Sequence, residues 1–291
     1  MRILKSTRRV LSNEQVAIDE LVDGYNKRAR LLFIAGFVSF ALLLEKFALH
    51  LSDGSLVNLL YIGAFVFIVT YLGLIWAFDF KVKKLTLFVL IPQSAFFVTL
   101  QALFVEAFFF QGGLDRIYER VLLVILFLLM AASAYFAFLM TNVFNVEQFR
   151  PLPLKQVAKT VSYGITVLSV YYITYVVLSL EIGFVWVFAV LAIAFLLSAV
   201  AHHFHYTRGS SLDVSLRILV LLVIAQLVAV GSVMLLGNRY ELSALLPASI
   251  AFVVHGVLMY KQDETLTKPL LIGYLGLLVF VFMINMIFNV V

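Results

Sequence analysis

The sequence predicts an all-α, polytopic membrane bundle, and three observations predict it. Hydrophobic residues make up 64% of the 291 and charged residues only 13%, against about 45–50% and about 25% in an ordinary soluble domain. Mean hydropathy is +1.07. The apolar residues are gathered into long runs separated by short polar segments. One globule of this size cannot bury so much apolar surface, because surface-to-volume scaling leaves too much of it facing water. The composition therefore excludes a soluble enzyme, a disordered chain and a nucleic-acid-binding domain.

The elements follow in chain order. Residues 1–30 form a basic segment in which Ser12 or Asn13 caps a short helix and Glu14 favours its positive dipole end. Ile18, Leu21, Val22 and Tyr25 recur at helical spacing and make one apolar stripe. The expectation is an amphipathic helix on the inner membrane face, with Arg8, Arg9, Lys27, Arg28 and Arg30 at anionic lipid headgroups. A docking helix for a cytoplasmic partner is the sharper alternative. The segment lacks an apolar h-region with a small-residue cleavage site, so no cleaved signal peptide is expected.

Residues 31–291 read as a single transmembrane domain. A spanning helix needs roughly 20 apolar residues. About nine runs qualify, over 31–49, 59–78, 85–110, 121–146, 160–180, 182–201, 218–236, 242–260 and 270–291. The third and fourth, at about 26 residues each, are long enough to tilt. Only Glu181 and Gly183 punctuate the fifth and sixth, which predicts a tight helical hairpin.

Orientation comes from charge. Of the 21 Lys and Arg, 17 fall in the N-terminal segment and the even-numbered loops; Arg116, Arg120 and Arg239 alone fall opposite, with Lys46 at a span end. Cytoplasmic loops are enriched in Lys and Arg, which predicts a cytoplasmic N-terminus and an outer C-terminus. Short loops and this bias point to a prokaryotic plasma (inner) membrane.

The longest interspan loop, about 202–217, is too short for a separate catalytic domain, which needs about 50 residues. Chemistry would have to sit between helices. Ionisable groups are costly there, so each is a candidate. Glu45 and Lys46 end the first span and Glu106 lies in the third; Glu106 is expected to meet Lys46 or Arg120, either as an ion pair that sets helix depth or as a hydrated outer site. Ser94 and Gln101 are seven residues apart and share a helix face, with Gln226 and Asn285 as expected partners. Pro92 should kink the third span and leave a carbonyl in need of a donor. Ser162, Thr166 and Ser169 give the fifth span a small polar face suited to close packing.

His202, His203 and His205 form the strongest candidate for a metal site. His203 lies off the face shared by the other two, however, and a solvated helix end accounts for the cluster without a metal. No cysteine exists to form a disulfide or bind a metal. No Walker loop, GxGxxG, HExxH or GxSxG motif is present. The expectation is a non-enzymatic protein without cofactor: a membrane-embedded subunit or scaffold with membrane or cytoplasmic protein partners. A transporter, channel or lipid flippase is the alternative.

Overall fold

The computed structural model describes residues 26–46, 56–110, 117–147, 155–206, 212–236, 239–262 and 265–290. The amphipathic stripe of residues 12–25, together with Arg8 and Arg9, lies outside the described residues. Among those described, 93% are helical and none is in a strand.

Ten helices follow in order among the described residues. They are α1 (26–46), α2 (Leu56–Ala77), α3 (Ile91–Phe110), α4 (Ile117–Glu147), α5 (Lys155–Ser179), α6 (Phe184–Tyr206), α7 (Leu212–Leu236), the single turn α8 (Tyr240–Ser243), α9 (Leu245–Gln262) and α10 (Lys268–Val290). Among the described residues seven helices are long and apolar enough to cross a membrane. This is fewer than the nine runs of the sequence reading, and the two helices not counted are α6 and α1. The side chains of α6 are described only over Phe184–Val200, an uncharged apolar stretch. In α1 the uncharged stretch 31–44 is closed in by Arg30 on one side and by Glu45 and Lys46 on the other. The apolar helical bundle is consistent with an integral membrane protein.

The layering is uneven. In the apolar windows of α3, α5 and α9, 67%, 61% and 61% of residues are buried; in α10 the figure is 6%. α3 and α5 therefore form the centre, flanked by α2, α4, α6 and α9, while α10 lies at the rim against α9. Its outer residues Ile272, Leu275, Val279 and Phe280 are all exposed. That pattern suits contact with lipid, since a helix of this hydropathy cannot face water. Glycine eases two close approaches. A Cβ on Gly73 would meet Ile34 of α1 at 3.2 Å, and one on Gly256 would meet the Tyr274 hydroxyl of α10 at 2.5 Å. The largest core cluster joins α1, α2, α3 and α4 through Leu31, Leu74, Phe97 and Phe138.

The carbonyl that Pro92 frees finds a donor, through a wider turn. Residues Thr86–Leu90 form a π-helical turn directly before α3, and the Ile91 N–H bonds the Thr86 carbonyl five residues back. In that register Pro92, which has no N–H, leaves the Leu87 carbonyl without its donor. The Tyr71 hydroxyl of α2 donates to it at 3.4 Å.

The end of α2 is a Schellman turn. The Phe80 N–H bonds the Ile75 carbonyl and the Asp79 N–H bonds the Trp76 carbonyl. Asp79 and Phe80 both take left-handed φ, 54° and 58°. Such a position favours glycine, and asparagine or aspartate tolerate it next best. Arg30 of α1 pairs with Asp79 and lies over the Trp76 ring, 5.2 Å from its centroid. The basic residue expected at lipid headgroups thus has protein partners that hold α1 to the end of α2.

The tight hairpin between α5 and α6 is present: residues 180–183 connect the helices, with Glu181 at φ 49°.

Candidate functional site

α3 crosses the centre of the bundle and carries almost every polar group of interest. The burial of Glu106, at 2% exposure, follows from its place between Val105 and Ala107 on the packed side of this helix. An isolated carboxylate in an apolar interior would be very costly and needs a partner. Lys46 supplies it: its ammonium makes an ion pair with the Glu106 carboxylate, from the last turn of α1. Of the two cations the sequence offered, the structure brings Lys46. Glu45, one residue earlier, is also buried.

The same stretch of α3 is aromatic on its α5 side. Phe104 on α3 packs against Tyr172 and Tyr175 of α5, each at 4.9 Å between ring centroids, and against Tyr171 at 5.9 Å. Ala107 joins Tyr175, Val176 and Ala244 in one small cluster, which brings α8 to the same end of the bundle. There the Tyr240 hydroxyl donates to Glu181 at 3.0 Å. One end of the bundle thus gathers Lys46, Glu106, Glu181 and a sheath of tyrosines.

Thr86, just before α3, and Ser94 and Gln101 within it face α4, as an antiparallel seam. Thr86 donates to the Asn145 side-chain oxygen at 2.9 Å. Ser94 and Thr141 share a hydroxyl–hydroxyl bond of 2.6 Å, and each hydroxyl also approaches the Ala137 carbonyl. Gln101 donates to Ser133 at 2.7 Å, and Ser133 donates in turn to the Met130 carbonyl. As the α3 numbers rise, the α4 numbers fall, which is the register of two antiparallel helices. Interhelical bonds of this kind contribute about 0.6 kcal/mol each on average in a membrane.

The sequence reading grouped Ser94 and Gln101 correctly on one face but named the wrong partners. Gln226 of α7 instead donates to the Pro247 carbonyl of α9 at 3.3 Å, and Asn285 donates to the Val281 carbonyl within α10. Neither α7 nor α10 packs closely on α3: α7 packs on α6 and α9, α10 packs chiefly on α9, and α5 and α6 stand on the α3 side of them. The missed signal was the four-residue spacing of Ser133, Ala137, Thr141 and Asn145 on α4, whose small side chains let α3 approach.

Lys27, Arg28 and Arg30 lie on the first turn of α1, and Arg28 is exposed. His202, His203 and His205 fall on the last turn of α6, where the side chains lie outside the described residues. Among the described residues no group of three or more His, Cys, Asp or Glu is placed to hold a metal ion. Comparisons with protein-family models, with curated proteins and with solved structures find no match to this chain.

Proposed function

We propose that the chain is a non-enzymatic integral membrane protein, a membrane-embedded subunit or scaffold of a larger assembly. The observation that carries this reading is how the central polar groups are used. Glu106 pairs with Lys46, and Thr86, Ser94 and Gln101 pair with α4. Such groups hold helices in register and leave little polar surface for a moving substrate. The exposed apolar length of α10 supports the same reading, because it offers a rim on which further membrane helices or lipid can pack.

In this reading all nine runs cross the bilayer, with α1 and α6 completing the count, the N-terminus cytoplasmic and anionic lipid at the inner face. The membrane is a prokaryotic plasma membrane. Native mass spectrometry of the protein extracted gently from its own membrane tests the subunit role. A reproducible complex with other polypeptides is expected; a lone chain would overturn it. Orientation has its own test, because the natural chain has no cysteine. A membrane-impermeant maleimide applied from outside should label Arg239→Cys and spare Lys84→Cys, and the reverse would refute the assignment.

Transport is the second reading, and a lipid flippase its most specific form. It is favoured by an ion pair near one end of α3 and, near the other, by a cavity that Gln93, Thr166, Ser169 and Ser198 help to line. Against it, Phe97 and Leu100 are fully buried between the two on α3, and Phe104 is packed among tyrosines, so apolar side chains separate them. Flux into proteoliposomes that disappears in Glu106→Gln would replace the scaffold reading with this one.

A further inference from the structure

Gln93, on the first turn of α3, has an unusual environment. It is 8% exposed, yet neither its amide nitrogen nor its carbonyl oxygen has a hydrogen-bond partner. Leaving a carboxamide unpaired in an apolar setting costs several kcal/mol. The other polar side chains of this helix have partners: Ser94 and Gln101 bond to α4, Thr99 donates to the Ala95 carbonyl, and Glu106 pairs with Lys46. Gln93 instead lines a cavity of about 280 Å³ between α2, α3, α5 and α6.

The lining defines the chemistry. Most of the wall is apolar and aromatic, with Phe67, Phe88 and Phe96 among its residues, and no charged residue takes part. Thr166, Ser169 and Ser198 supply hydroxyls from α5 and α6. The Thr166 and Ser198 protons are already donated within their own helices, to Ser162 and Ala194, which leaves their oxygens able to accept. Polar recognition therefore centres on one donor–acceptor pair at Gln93, assisted by acceptors opposite.

The cavity opens to the side. Phe88 and Leu197, which border it, are 70% and 56% exposed on the surface that faces lipid. Gln93 is seven residues beyond Thr86, where the apolar stretch of α3 begins, which puts it about 10 Å along the helix. The hydrocarbon half-thickness is about 15 Å. A phosphate or ammonium headgroup at that depth would lie unpaired in an uncharged site, at heavy cost.

We propose that this crevice binds an uncharged glycerolipid, a diacylglycerol, that enters from the bilayer. Its free hydroxyl donates to the Gln93 carbonyl oxygen, and an adjacent ester carbonyl accepts from the Gln93 amide. The cavity takes the glycerol backbone and the first methylenes, and the acyl tails leave past Phe88 and Leu197 into the membrane. The site does not depend on the subunit reading, since it needs only this chain.

The test uses the full chain in phosphatidylcholine nanodiscs that contain a photoreactive diacylglycerol. Crosslinks are expected on α3 and α6 peptides, and unlabelled diacylglycerol should compete while added phosphatidic acid should not. Gln93→Leu keeps the side-chain size and removes both hydrogen bonds; it should lower the crosslink yield at least fivefold. Leu197→Trp, at an exposed position that does not threaten folding, should close the mouth and do the same, and decides the matter if Gln93→Leu does not fold. Equal yields in wild type and Leu197→Trp, or equal competition by phosphatidic acid, would show only the annular lipid shell and overturn the proposal.

Discussion

Lys46 and Glu106 join the last turn of α1 to the C-terminal half of α3 through an ion pair whose side chains are 11% and 1% exposed. A pair so deeply buried adds little net stability compared with well-packed apolar residues, yet removing one partner leaves an uncompensated charge. Glu106→Gln alone should therefore destabilise the bundle by about 3–5 kcal/mol. Replacing both, as Lys46→Met with Glu106→Leu, should restore most of the loss. Unfolding of the purified variants in mixed detergent micelles measures both steps. A single mutant as stable as wild type would show that water reaches the pair.

Asp79 and Arg30 set a second junction, at the opposite end of α1. Their side chains are about a third exposed, so solvent screening limits the ion pair itself to about 0–1 kcal/mol. The left-handed φ of Asp79 is a separate matter. Asp79→Gly should come out close to neutral, because relief at the backbone offsets the lost pair. Asp79→Val should cost about 1–3 kcal/mol, since a β-branched residue is strained there. If both substitutions cost the same, the charge rather than the backbone governs this turn.

These two junctions show what could and could not be read from the chain. A lone Glu106 in a long apolar run demands a cation, and only a few lie near enough in depth, so Lys46 was legible. The Arg30–Asp79 pair was not, because Asp79 gains its place from a turn geometry that usually calls for glycine, and nothing in Phe78-Asp79-Phe80 announces it. The polar face of α3 followed from residue spacing, whereas the identity of the helix opposite depends on packing order, and α4 took the place expected for α7. Gln93 was hidden for a related reason: a buried amide looks the same in sequence whether or not a neighbour satisfies it.

The seam between α3 and α4 leads to a graded expectation. Gln101→Leu removes the bond to Ser133, but Ser133 keeps its bond to the Met130 carbonyl and is not stranded. The cost should be about 0.6–1.7 kcal/mol. Thr86→Val leaves the Asn145 oxygen without that donor in a buried place, and should cost more, about 1–3 kcal/mol. Unfolding in mixed micelles ranks the two. The reverse order would mean that Asn145 finds another donor when Thr86 is removed.

Gly256 and Tyr274 govern how α10 is held. A Cβ on Gly256 would stand 2.5 Å from the Tyr274 hydroxyl oxygen and 2.7 Å from the ring carbon that bears it, so alanine cannot fit unless the ring moves. The ring has some latitude because it is the far end of a side chain, although Phe252 and Tyr260 flank it at centroid distances of 5.4 and 6.4 Å. Gly256→Ala should therefore cost about 1–3 kcal/mol, as overpacking does. Since so little of α10 is buried, the loss should appear first as release of that helix rather than as global unfolding. Limited proteolysis in the segment between α9 and α10 reads this directly, and cleavage should rise in Gly256→Ala. Tyr274→Leu in the same background removes the clashing ring and should return cleavage towards wild type. Unchanged proteolysis in Gly256→Ala would show that the ring swings aside freely and that α10 is held by other contacts.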